Sequence, residues 1–218
     1  MAPQAGLAAG QGLAFRNMNT PIFDPANRIT LLPPRQDGGL PLMAALMRRQ
    51  SQREFTRDQL DEQRLSDLLW ASAGVNRSED GGRTAPSGLN SQEVQLYVAL
   101  PQGLYRYDPL EHALQFVMSG DVRPLMGYKD FVSTGALDMI YVADYSRMNL
   151  LPAEDWDAFA FAASGAMAQN VHLYCASVGL GTVIRSWFDR SALAKALGMG
   201  ADRKPLLAQT VGIVVEDS

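Results

Sequence analysis

Arg49-Gln50-Ser51-Gln52-Arg53 sets two guanidiniums and a hydroxyl at alternate positions, just where a helical pattern gives out. In an extended segment residues i, i+2 and i+4 point to one side, so Arg49, Ser51 and Arg53 can converge on one anion. Planar guanidinium forks match phosphate oxygens, and the hydroxyl adds a neutral donor. The plainer alternative is a solvated basic helix end, in which Arg48 and Arg49 complement the C-terminal dipole. Two further stretches stand out: the polar loop Arg83-Thr84-Ala85-Pro86-Ser87-Gly88-Leu89-Asn90-Ser91-Gln92, and Gly179-Leu180-Gly181-Thr182-Val183-Ile184-Arg185-Ser186 after a long helical pattern. No Ser-His-Asp or Cys-His arrangement accompanies them, so a side-chain nucleophile is not expected.

The 218 residues carry a net charge of -4 with a pI near 5.2. That balance argues against nucleic-acid binding, which needs a basic footprint. The basic cluster at Arg48, Arg49 and Arg53 therefore points to a small anion. The single cysteine, Cys175, excludes an internal disulfide, and His112 and His172 are too few for an imidazole-rich metal site. No apolar run is long enough to span a membrane. The Ala- and Gly-rich opening lacks the pattern of a secretion signal. A cytoplasmic location is expected, with the mature form of an exported protein as the alternative.

The elements that must position these residues are legible in outline. Residues 1–39 read as an extended arm and 40–218 as one folded domain. Leu42, Met43, Leu46 and Met47 have the spacing of a helix with one buried side, which delivers the Arg49 segment at its end. Asp61 can cap a helix carrying Leu65, Leu68, Leu69 and Ser72, closed by Gly74. Val94, Leu96, Val98 and Leu100 alternate as a strand, and residues 103–109 and 114–117 read as a hairpin. The apolar run 139–143 predicts a central strand, with a short helical piece between 120 and 135. Residues 155–178 form the longest helical pattern, with Ala162, Ala163, Gly165, Ala166 and Ala168 leaving room for close approach of another helix, at the molecular centre or at a subunit interface. Asp189 caps a short helix through Leu197, and 206–215 is a last strand. Helices and strands mingle without regular βαβ alternation, which favours an α+β class.

Taken together, the three stretches resemble the FMN-dependent nitroreductase family: an R-x-S-x-R phosphate motif, a P-S-x-x-N-x-Q loop, and the segment after the family's central helix. Gly103-Leu104-Tyr105-Arg106-Tyr107-Asp108-Pro109 and Gln209-Thr210-Val211-Gly212 resemble the branch that includes the azoline dehydrogenases. The resemblance covers roughly 41–212. It implies a mostly antiparallel central sheet flanked by helices, with FMN at the interface of a homodimer. Arg49, Gln50, Ser51 and Arg53 would then lie at the FMN phosphate. Pro86, Ser87, Gly88 and Asn90 would reach the flavin held mainly by the other subunit. Ile184, Arg185 and Ser186 align with residues whose backbone faces N5 and O4 of the ring, and Lys129 falls near the pyrimidine edge.

The implied activity is NAD(P)H-dependent two-electron reduction of a nitroaromatic, quinone or similar acceptor. The alternatives are an FMN-dependent dehydrogenase of a small molecule or peptide heterocycle reoxidised by oxygen, and a flavin-binding module without turnover. Many family members add Lys or Arg phosphate ligands after the final strand. Here the residues after Gly212 include none, which leaves Arg203 or Lys204 as substitutes. His172 is expected to be a hydrogen-bonded packing residue and Cys175 a small buried hydrophobe. Trp187 and Phe188 are candidates either for a pocket wall or for the core.

Overall fold

The computed structural model describes residues 28–127 and 131–215. A seven-stranded sheet in the order β1-β6-β5-β4-β7-β9-β8 forms its frame. The strands are β1 (Arg28–Thr30), β4 (Val94–Leu100), β5 (Gly103–Asp108), β6 (Ala113–Ser119), β7 (Leu137–Asp144), β8 (Leu180–Arg185) and β9 (Arg203–Ile213). Every neighbouring pair is antiparallel. A small hairpin of β2 (Val75–Arg77) and β3 (Gly82–Arg83) stands apart. The helices are α1 (Leu42–Arg48), α2 (Glu62–Ala73), α3 (Phe131–Thr134), α4 (Trp156–Val178) and α5 (Arg190–Ala196). The α+β class and the antiparallel sheet follow as expected.

Helices cover both faces of the sheet, and this explains why its middle is mostly apolar. On one face Leu68 and Leu69 of α2 and Met167 and Val171 of α4 pack with Leu96, Val98, Met139 and Tyr141. On the other, Val132, Phe188 and Leu193 pack with Tyr97, Ala99, Ile140 and Val142. Strand β7 lies between them and every one of its residues is buried. Leu68 and Leu69 are fully enclosed, and burial of each side chain contributes roughly 1.5–3 kcal/mol. Asp61 caps α2 by accepting from the Arg64 backbone N–H at 2.7 Å, and Asp189 caps α5 by accepting from Ala192 N–H at 2.9 Å.

One expectation changes. The apolar side of α1 is not buried: Leu42, Met43, Leu46 and Met47 are 62, 71, 43 and 86% exposed, and only Ala45 is enclosed. This seven-residue helix leans on α4 through Ala45, with Leu40 N–H donating to Ser177 O; among the described residues nothing covers its outer side. Residues 1–27 lie outside the described region, but β1 adds an edge strand beside β6, and Arg35 pairs with Asp67 at 2.8 Å. The segment after α4 is the edge strand β8.

Candidate functional site

Past the end of α1 the backbone is extended, with Arg49 at φ -58° and ψ 119°. It is held against the free edge of the sheet: Gln52 N–H donates to Thr182 O at 3.0 Å, and Thr56 N–H to Ile213 O at 2.8 Å. Phe55 is buried over Gly181 and Gly212, whose lack of side chains admits its ring. Pinned in this way, the segment leaves Arg49, Ser51 and Arg53 exposed at alternate positions. Their side chains form no hydrogen bond or ion pair among the described residues. Gln50 is exposed as well, while Gln52 is half-buried with its Oε1 against Gly181. Two free guanidiniums and a free hydroxyl at this spacing suit a phosphate.

The first and third sequence motifs therefore meet within one chain. Strand β8 ends the sheet order, so beyond Thr182 its outer edge carries backbone groups that no neighbouring strand satisfies. Ile184 is half-buried and Ser186 exposed at that edge. The Arg185 side chain turns the other way. It forms an ion pair with the fully buried Asp138 at 2.5 Å, donates to Thr210 Oγ1, and stacks on the Phe131 ring 5.4 Å from its centroid. Burial pushes the Asp138 carboxyl above its ordinary range, against the opposing pull of Arg185 and a 2.7 Å bond from Thr210 Oγ1. Sequence reasoning misses Asp138; the only signal is an acid between Leu137 and the apolar run 139–143 of β7.

The second motif goes elsewhere. Pro86, Ser87 and the turn Gly88–Asn90 run along α4 toward its start: Asn170 Nδ2 donates to Thr84 O at 3.1 Å, and a β-carbon on Gly88 would stand 2.6 Å from the Phe159 ring. The turn is fixed by Leu89, Asn90 and Gln92 at positive φ and by Gln92 N–H donating to Ser87 Oγ at 3.0 Å. Arg49 lies within electrostatic reach of His172, thirteen positions beyond Phe159 on the same helix. At 1.5 Å per residue that is about 20 Å along the axis. The chain alone thus holds the cradle and the loop toward opposite ends of α4.

The remaining candidates fall into place around this. Lys129 lies outside the described residues. Lys204 pairs with Asp157 at 2.6 Å, and Arg203 faces Asp144 at 3.9 Å, so neither stands ready for a phosphate. Phe188 belongs to the core, whereas Trp187 is 84% exposed. Cys175 is buried as expected. His172 is buried too, but its Nδ1 has no partner among the described residues; burial first and Arg49 second hold it below the ordinary imidazole value. No cluster of His, Cys, Asp or Glu among the described residues could hold a metal ion, and no described helix is long and apolar enough to cross a membrane.

An antiparallel sheet with helices on both faces, ending in an edge strand beside an anion-ready segment, defines the class. The model of the nitroreductase family matches residues 46–213, and the chain belongs to that family. It is similar to the crystal structure of a candidate nitroreductase from Ralstonia eutropha JMP134: 47% identical, 88% of this chain and 91% of that one covered, TM-score 0.84. It is 29% identical to a candidate nitroreductase of Methanocaldococcus jannaschii over 78% of this chain and 90% of that one. Two more distant structures share the fold. One is the Escherichia coli microcin synthetase McbBCD complex with truncated pro-MccB17 bound, at 17% identity, 86 and 79% coverage and TM-score 0.66. The other is the NADPH:FMN oxidoreductase of Vibrio harveyi complexed with NAD+, at 18% identity, 80 and 69% coverage and TM-score 0.60. Family membership makes the chain an oxidoreductase.

Proposed function

We propose that the chain binds FMN and uses it to pass two electrons from NADH or NADPH to a nitroaromatic, quinone or similar acceptor. The observation that carries this is the free Arg49-Ser51-Arg53 edge, pinned by Phe55 and Gln52 beside the unpaired margin of β8. Arg49, Ser51 and Arg53 hold the phosphate, with Gln50 beside them, and backbone N–H groups within Ile184–Ser186 face the ring. FMN, when bound, supplies reversible two-electron chemistry. The protein's part is to bind, orient and shield; no side chain attacks the substrate. The name of the Vibrio harveyi enzyme supports both the cofactor and the nicotinamide donor.

A homodimer completes the site. Pro86, Ser87, Gly88 and Asn90 stand too far from their own cradle and reach the flavin of the twin chain. Two exposed surfaces support this pairing. One is the apolar outer side of α1, with Met43 71% and Met47 86% exposed. The other is the bare face of α4 at Ala158, Ala162, Gly165 and Gln169, where a β-carbon on Gly165 would meet nothing within 4 Å. Small residues on such a face admit a second helix closely.

Purified protein tests the scheme. Flavin absorption bands, FMN identified in the released cofactor, and anaerobic bleaching by NADPH are expected, with twice the chain mass in solution. A colourless protein that takes up no added FMN would overturn it. Bleaching by a peptide heterocycle or other organic substrate, with none by NADH or NADPH, would assign the chain to the dehydrogenases instead.

A further inference from the structure

A second group of unpaired cations lies away from Arg49 and Arg53. A cavity of about 230 Å³ opens along β4 and β5, and its walls include Arg83 from β3, Arg106 from β5 and Arg147 from the turn after β7. Neither Arg83 nor Arg147 makes a side-chain hydrogen bond or ion pair among the described residues, and Arg83 Nε is buried with no acceptor. The two guanidiniums are close enough to repel: burial first, then Arg147, disfavour the charge on Arg83. Buried donors without acceptors and like charges held together both cost free energy.

The third guanidinium is braced. Arg106 Nη2 donates to Gln115 Oε1, and Gln115 Nε2 donates to Asp108 Oδ2 at 2.8 Å. Asp108 is the single carboxylate on the wall, and its Oδ1 accepts from the backbone N–H groups of Leu110 and Glu111 at 3.1 and 3.2 Å. It is committed to the β5–β6 turn. Glu93 acts on Arg83 from outside the cavity, with its Oε2 accepting from Ser91 Oγ at 2.7 Å. Three cations face one occupied carboxylate on the wall, with the buried Glu93 acting from outside it, so the wall carries an excess of positive charge.

We propose that this cavity is a binding site for a compact oxyanion, a phosphate or carboxylate group, clasped between Arg83 and Arg147 with Arg106 behind. A smaller void shares Arg83 and Gln92 with it and is lined also by Pro86 and Ser87, so the anion sits directly behind the loop assigned above to the partner's flavin. The site requires no flavin for its own geometry and stands independently of that assignment.

The test is titration of FMN-saturated protein with inorganic phosphate and, separately, malonate, followed through the arginine Nε–H resonances by NMR. The Arg83 signal should shift saturably with at least one of the two anions. Arg147→Gln, at an exposed position, should weaken that binding at least tenfold while flavin content stays unchanged and the melting temperature does not fall, and Arg53→Gln should leave it intact. Failure of both anions to shift Arg83 at tens of millimolar would overturn the proposal. So would binding that is insensitive to Arg147→Gln, or binding that is lost only in Arg53→Gln, which belongs to the other cradle.

Discussion

A β-carbon on Gly212 would stand 2.9 Å from the Phe55 ring, and one on Gly181 would stand 3.0 Å from the same ring. The buried phenyl group of Phe55 thus fastens the Arg49–Arg53 segment over two adjacent strands by filling space that only glycine leaves free. Gly212→Ala should force the ring outward, at an overpacking cost of about 1–3 kcal/mol. A lower urea midpoint accompanied by weaker FMN binding checks this; unchanged FMN affinity would show that the segment does not depend on its anchor.

Arg49→Gln and Arg53→Gln each remove a charged donor from a site where the native side chain has no partner among the described residues to leave behind. A hydrogen bond to a charged group contributes roughly 1.5–3 kcal/mol, so each change should weaken FMN binding by about ten- to a hundredfold, and Ser51→Ala by less. Riboflavin, which lacks the phosphate, should bind wild type and variants alike. Equal losses for FMN and riboflavin would place the phosphate elsewhere.

Asp138→Asn keeps the shape of the side chain but leaves the buried Arg185 without its counterion. Breaking a buried pair by removing one partner costs about 3–5 kcal/mol. Equilibrium urea unfolding should show a loss of that size, and a loss under 1 kcal/mol would mean that the Arg185 side chain relaxes into solvent. Any lowering of FMN affinity beyond the stability effect would mark Asp138 and Arg185 as positioning residues for the edge of β8.

His112 supplies a pH dependence. Its Nδ1 meets Tyr107 OH at 2.8 Å and its Nε2 meets Ser66 Oγ at 2.7 Å, and burial holds the imidazole below its ordinary value despite the Leu32 carbonyl. The neutral form is therefore favoured by the fold, and the unfolded chain takes up the proton first. Stability should be fully retained above about pH 6.5, the ordinary histidine value, and fall as pH drops through it toward the folded value. His172 shifts in the same direction. Thermal melts of wild type and His112→Gln from pH 8 to 5 check the sign: the variant should show the shallower slope.

The exposed Arg49-Ser51-Arg53 edge is legible because alternation, charge type and a helix end coincide within five residues. Strand β7 announced itself as an apolar run, and α4 as a long period rich in Ala and Gly. Strand β8 was hidden because Gly181 weakens the strand signal in the stretch it occupies, and the reason for that glycine, the ring of Phe55, comes from elsewhere in the chain. Strand β1 spans three residues and owes its state to pairing with β6, which no local pattern encodes. The spacing of Leu42, Met43, Leu46 and Met47 gave the helix correctly, but periodicity says which side is apolar and not whether the same chain covers it. The three arginines around the cavity come from three separate segments, and only the folded sheet brings them together.

The cradle and the Pro86–Asn90 loop stand toward opposite ends of α4, and genetics could exploit that. A subunit crippled at Arg49 and Arg53 and another crippled at Pro86 and Asn90 would each be idle when pure, since every catalytic centre would inherit a defect. Co-expressed, the two would form hybrids in which one centre draws both lesions and its neighbour draws neither. Recovery of activity toward half of normal per hybrid would mean that the functional unit of this enzyme crosses from one polypeptide to the other.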